Sequence, residues 1–283
     1  MLSNILALFP ELFSADCDKR LSPTEAFCLV ASIYLHDVGM WLHNEEYLKK
    51  YCSSNKISVT KMKKRDIFVR DNHHALSKFW ILDSVSSHRT LPESYKGNNM
   101  LAPYIANICE SHGIDFEKYS EYTDNEPFRG DSLRMGLLCT LLSLGDALDC
   151  DIQRIDYELL KNNDVPLDSR VHWMKHYYVN SIVVEQGRVK VYYIFPECDA
   201  NISDVYKFYF KYKTMFWIEK CKEIRGHFLT NANVSYDIDF EIRSRSYKDL
   251  LSKEEFDFVK TDAISIVDKQ ILALEKLREE LHS

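Results

Sequence analysis

Glycine and proline are scarce in this chain, eight of one and seven of the other in 283 residues, which leaves little room for flexible linkers or low-complexity stretches. No internal repeat and no long block of like charge is present, which argues against a solenoid or a charged disordered tail. None of the eight cysteines (Cys17, Cys28, Cys52, Cys109, Cys139, Cys150, Cys198 and Cys221) forms a C-x-x-C pair, so a zinc ribbon is not indicated. No glycine-rich Walker loop occurs, which speaks against a nucleoside triphosphatase of that fold. The N-terminus lacks both a basic start and a small-residue cleavage site, and no apolar run is long enough to cross a bilayer. The expectation is a cytoplasmic protein with reduced cysteines and no membrane partner. A basic excess is missing too. Lys and Arg number 36 against 43 Asp and Glu, a formal net charge of −7, whereas coating nucleic acid needs a broad basic face. The one basic cluster, Lys61, Lys63, Lys64 and Arg65, reads as a solvated loop or helix start.

What is present is a globular composition, 46% hydrophobic and 28% charged, on a chain long enough for one large domain or two modest ones. The first half reads as helix. Leu2, Ile5, Leu6, Phe9, Leu12 and Phe13 recur at helical spacing, and Ser22-Pro23-Thr24-Glu25 is a capping box with proline at the first helical position. The helix it opens runs to His36-Asp37, with Gly39 placed where a helix would end. Further helices are expected from about Asp66 to Ser84 and Ala102 to Ser111. A strongly apolar one opens at Asp131 and carries Leu133, Leu137, Leu138, Leu141, Leu142 and Leu148. Near residue 171 the pattern changes. Tyr177–Glu185 and Arg188–Phe195, with Gln186-Gly187 between, predict a β-hairpin, and Val234–Ile242 a third strand. An aromatic-rich helix spans about Val205 to Phe228. Its Tyr206–Tyr212 stripe reads as a buried aromatic face edged by lysine stems rather than a nucleic-acid surface. Ser252–Glu255 is a second capping box, opening a terminal helix through Val259, Ile266, Ile271, Leu274 and Leu277. That stripe is too long to leave in water, so the helix should pack at least partly against another, from its own extension or from a partner chain. The expected architecture is mainly α: a helical bundle over 1–165 and a smaller α+β extension over 166–283 containing the hairpin.

Four separated clusters carry metal-ligand chemistry: His36-Asp37, Arg70-x-x-His73, His112-Gly113 and Gly145-Asp146 within LLSLGDALD. Imidazole and carboxylate suit a divalent ion such as Mn, Fe, Mg, Zn or Ni, and a helix bundle can gather inward-facing ligands from distant segments. Asp146 sits in an apolar helix, where a lone carboxylate is costly without a cation beside it; a buried salt bridge to Arg134 or Arg154 is the competing account. His36-Asp37 lies at a helix C-terminus, where the dipole favours a cation, although a capping histidine and a turn aspartate would look the same.

The run YLHDVGMW, followed in order by RDNHHALS, CESHG and LLSLGDALDCDIQR, resembles the HD superfamily of metal-dependent phosphohydrolases. The segments fall in the order expected of a branch with a C-terminal extension often found near Hsp90-like ATPases, and the resemblance covers roughly residues 20 to 195. The resemblance implies that Asp37 is the central ligand, bridging two ions if two are bound. It implies that His36 and Asp146 complete one shell, and that His73 and His112 hold a second ion or orient a phosphate. The R-x-x-H spacing singles out His73 over its neighbour His74. Asp37, His73 and Arg70 would then carry catalysis, while Lys175 and Arg154 would contact the substrate. Lys175 lies in VHWMKH, whose His172 and His176 read equally well as surface residues around a core tryptophan.

The reaction so implied is attack on phosphorus by a metal-activated water, in a nucleotide or similar small phosphoester. An HD nuclease acting on single-stranded nucleic acid, and a non-catalytic ligand-binding or interaction module, are the alternatives. Association with itself or a partner protein through the C-terminal extension is also expected. Many HD proteins carry one more histidine upstream of the His-Asp pair, and none precedes His36 here. Either Met1 is a late start or the ligand set is one short, with Glu11 or water as the replacement.

Overall fold

The computed structural model describes residues 1–86, 100–113, 126–150, 152, 155, 166–246 and 251–282. The chain divides into two compact units, residues 1–149 with 220–236, and residues 150–219 with 237–283.

The first unit is helical. It contains α1 (Leu2–Leu8), α2 (Pro23–Leu35), α3 (Glu45–Ser54), α4 (Arg65–Ser86), α5 (Ala102–Ser111) and α6 (Met135–Ala147). Pro10 ends the first apolar helix early and starts a separate 3-10 turn, Pro10–Phe13. At the start of α2 the capping box forms as its sequence predicts. Glu25 N–H donates to Ser22 Oγ at 3.2 Å, and Ser22 N–H donates to Glu25 Oε2 at 2.9 Å. α6 is buried continuously from Met135 to Gly145, as expected of a helix apolar on all sides; α1, α2 and α5 pack around it. Its start differs from expectation. Asp131–Leu133 is not helix but a short strand β2, antiparallel to β1 (Glu126–Phe128), and the turn between them uses Arg129 and Gly130 at positive φ. Asp131 and Leu133 mimic a helical start by composition, while pairing with β1 takes up their backbone groups.

The second unit holds α7 (Leu167–Tyr178), β3 (Val179–Glu185), β4 (Arg188–Pro196), the first part of α8 (Ala200–Asn231), β5 (Asp237–Arg245) and α9 (Lys253–His282). β3 and β4 form the expected antiparallel hairpin, turning at Gly187 with φ +66°. The third strand begins later than Val234 and pairs parallel to β4, from Arg188 opposite Asp237 to Pro196 opposite Arg245. A parallel pair needs a long crossover, and α8 makes it. Tyr178, Tyr193, Phe195, Tyr206 and Phe210 form the aromatic core. Tyr206, Tyr209 and Phe210 are buried, so the aromatic stripe of α8 serves packing. In α7 the core positions are Val171, Met174 and Tyr178, with Trp173 only half-buried. The terminal helix divides in two: Val259 and Ile266 are buried, as expected, but Ile271 and Leu274 are exposed.

None of the eight cysteines is in a disulfide, and six are buried. Burial pushes the Cys28 and Cys109 thiols up to about 12, so both behave as small hydrophobes. Among the described residues no single helix is long and apolar enough to cross a membrane.

Candidate metal centre

Three histidines and two aspartates from four helices of the first unit meet around Asp37. α2 ends at His36 and α5 ends at His112, each the C-terminal capping residue of its helix. Two helix C-termini therefore converge, and their outward-pointing carbonyls favour positive charge between them. α4 contributes His73 and α6 contributes Asp146.

Each histidine is locked in the same way. Its Nδ1 lies against a carbonyl three residues back in its own helix: His36 with Ile33 at 2.9 Å, His73 with Arg70 at 2.6 Å, His112 with Cys109 at 2.5 Å. A carbonyl only accepts, so each Nδ1 carries the proton, and each Nε2 presents a lone pair or a second proton toward Asp37. This is how metal-binding imidazoles are oriented.

The two oxygens of Asp37 face different partners. Oδ1 lies 3.4 Å from His73 Nε2 and 3.5 Å from His112 Nε2, which are 2.9 Å from each other. Oδ2 lies 3.2 Å from His36 Nε2, which is 3.7 Å from Asp146 Oδ1. Ligand atoms at about 2.1 Å from one ion stand roughly 3.0 to 3.4 Å apart at octahedral or tetrahedral angles. The Asp37–His73–His112 triangle has edges close to that size, and these three residues form a group that can hold a metal ion. Two bare lone pairs 2.9 Å apart repel unless a proton or a cation lies between them, so the donor set fits a divalent ion.

Electrostatics agree. Burial raises the cost of charge on Asp37, but hydrogen bonds from His112 and His36 outweigh it and hold the carboxyl far below its ordinary range. Asp146 is likewise lowered, burial being overcome chiefly by His36. Burial alone would lower the His36 pKa; Asp146 and Asp37 on either side push it up to about 10. His73 goes the other way, lowered by burial and by His112 beside it. The arrangement thus stabilises a positive charge between the carboxylates and a neutral imidazole at His73.

The centre opens to solvent. His36 and His112 are buried, yet the Asp37 and Asp146 side chains are 47% and 39% exposed. Asp146 is therefore not enclosed in the apolar core; it emerges at the end of a buried helix. Nor does it pair with Arg134, which instead grips Glu25 of α2 through Nε to Oε1 at 2.9 Å and Nη2 to Oε2 at 2.7 Å. Arg70 contributes its carbonyl to His73. His74 lies with its ring 5.5 Å from that of His73 and against Gly113. Lys175 lies on α7, in the second unit. Arg154 lies outside the described residues. Glu11 stands in the 3-10 turn after α1.

Two supports were not visible beforehand. Ser77, fully buried on α4, donates to the carbonyl of His36 at 2.6 Å and accepts from the N–H of Gly39 at 2.8 Å. Gly39 belongs to a 3-10 turn, Val38–Trp41, that lies directly on α4. A Cβ at position 39 would stand 2.0 Å from the His73 carbonyl oxygen. Glycine is needed there for close approach, and not, as its place after a helix suggested, for a left-handed cap; its φ is not positive. The other support is Arg225, 1% exposed, which donates through Nη1 to Ser143 Oγ at 2.7 Å, one turn before Asp146.

Comparison with known proteins adds one match. The HD-CE family model matches residues 1–220. No curated protein and no solved structure matches the chain.

Proposed function

The chain belongs to the HD-CE family, and on that premise we propose that it is a metal-dependent phosphohydrolase whose substrate is a nucleotide or similar small phosphoester. The observation that supports this most is the divided Asp37 carboxylate: one oxygen turned to His73 and His112, the other to His36. In this reading Asp37, His73 and His112 would hold a divalent ion, and Asp37, His36 and Asp146 would hold another if two bind. Such ions supply a water of lowered pKa and neutralise charge on phosphoryl oxygens.

The chain's own residues do the rest. The Nδ1 bonds hold three imidazoles with Nε2 aimed inward, so no reorganisation is needed when ligands bind. The open edge beside Asp37 and Asp146 admits a substrate. Arg70, one turn before His73, is the guanidinium we assign to a charge-assisted phosphate contact. The net charge of −7 favours a small substrate over a nucleic acid, and a cytoplasmic setting suits its free thiols.

The test is hydrolysis of nucleotides, a generic chromogenic phosphodiester and single-stranded DNA, with Mn²⁺ or Ni²⁺ added and with chelator. Turnover of a small phosphoester that chelator stops and Asp37→Ala abolishes is the expected result. Turnover confined to DNA would replace this reading with a nuclease. Metal binding without any turnover would replace it with a non-catalytic module.

A further inference from the structure

α9 leaves the second unit part-way along its length. Up to Ile266 it is anchored. Phe256 stacks on Tyr206, Asp262 accepts from Tyr209 Oη at 3.0 Å and pairs with Lys213 at 2.8 Å, and Val259, Ala263 and Ile266 are buried. From Val267 to Lys276 every residue is exposed, while the helix continues to His282. A projecting segment of that length gains little from helix propensity alone and is marginal in water.

The exposed stretch is patterned. Ile264, Val267, Ile271 and Leu274 follow one another at spacings of three, four and three residues, the a and d positions of a heptad. They are 53%, 38%, 48% and 66% exposed. Isoleucine occupies both a positions and leucine the second d, the choice that favours two parallel strands. These four side chains leave on the order of 350 Å² of apolar surface in water, the size of the largest patch on an ordinary monomer. Pairing two such faces removes roughly 700 Å² from these side chains, the size of a weak, concentration-dependent interface.

We propose that this face is the self-association surface of the protein: Ile264, Val267, Ile271 and Leu274 pair with the same residues of a second copy in a short, parallel, in-register two-stranded coiled coil. Charge selects the direction. An antiparallel pair would bring e positions together, setting Asp268 against Glu275 of the other copy, two like charges. A parallel pair sets Glu275 against Gln270, which can donate a hydrogen bond to it.

The test is sedimentation equilibrium of the full chain across about 1–100 µM, the range expected of a short interface. The wild-type protein should pass with concentration from its chain mass of 33.3 kDa to twice that mass. Ile271→Glu with Leu274→Glu should stay monomeric, with unchanged metal content and a loss of helical circular dichroism no larger than the exposed turns of α9 account for, since both positions are solvent-exposed in the single chain. Leu274→Cys should form an inter-chain disulfide under mild oxidation, which an antiparallel pair would not allow. A wild-type protein monomeric throughout overturns the proposal. So does a dimer that survives the double substitution, or a Leu274→Cys protein that does not cross-link. Monomeric protein that binds phospholipid vesicles through these residues would assign the face to a membrane instead.

Discussion

The metal centre rests on two kinds of residue, the imidazoles and carboxylates around Asp37 and the residues Ser77, Gly39 and Arg225 that hold their helices in place. His36, Asp37, His73, His112 and Asp146 declare themselves by type, because few roles demand imidazoles and carboxylates on otherwise apolar helices. Ser77 declares nothing, since serine on a helix is ordinary until one sees that the Val38–Trp41 turn lies on top of it. Arg225 is hidden in the same way, a lone arginine in an aromatic helix that turns out to lie fully buried under α6. Gly39 is visible in the sequence, but its place after a helix suggests a left-handed cap where the structure needs close approach to α4. Its actual duty makes a sharp prediction. Gly39→Ala places a methyl 2.0 Å from the His73 carbonyl oxygen, so the turn or α4 must move, displacing His36, Asp37 and His73 relative to one another. Overpacking of this kind costs about 1–3 kcal/mol. The variant should be folded and moderately destabilised, with its thermal shift on added Mn²⁺ or Ni²⁺ lost; an unchanged shift would show that the close approach does not matter to the centre.

Elements with strong local signals appear where the sequence puts them, because a capping box or a Gly-containing hairpin turn is decided within a few residues. The start of α2 and the β3–β4 hairpin are of this kind. β1 and β2 are not, since two three-residue strands carry no periodicity to read. The capping box of α2 also holds a long-range secret. Glu25, 2% exposed, satisfies the helix start and at the same time receives Arg134 from just before α6. Burial would raise its pKa, but the Arg134 hydrogen bonds prevail and hold it below the ordinary value of 4.5. A folded-state pKa below the unfolded one means stability that is fully present above about pH 4.5 and lost as pH falls through the folded value. Arg134→Met leaves a buried carboxylate without its partner and should cost about 3–5 kcal/mol near neutral pH. In that variant burial acts on Glu25 without the guanidinium, so its pKa rises, protonation relieves the penalty as pH falls, and the gap to wild type should be narrower at pH 4 than at pH 7. Thermal unfolding at pH 7 and pH 4 measures both. A gap that stays constant or widens on acidification would contradict the assignment.

On the scale of the whole molecule, the sequence shows a helical first half and a mixed second half, and the structure has both. What periodicity could not show is that the chain returns. Residues 220–236 belong with the first unit, although α8 begins in the second. The helix continues through the boundary between Glu219 and Lys220, so no break in periodicity marks it. The centre itself depends on four helices far apart in sequence meeting at one carboxylate, and it can be tested without knowing the substrate. Elemental analysis of the purified protein, paired with the same measurement on Asp37→Ala, Asp146→Ala and His74→Ala, asks whether that meeting is a metal site. The wild type should carry at least one divalent transition metal per chain, both aspartate variants should lose nearly all of it, and His74→Ala should retain it. Metal-free wild-type protein that also shows no thermal shift with Mn²⁺, Ni²⁺ or Zn²⁺ would contradict that expectation.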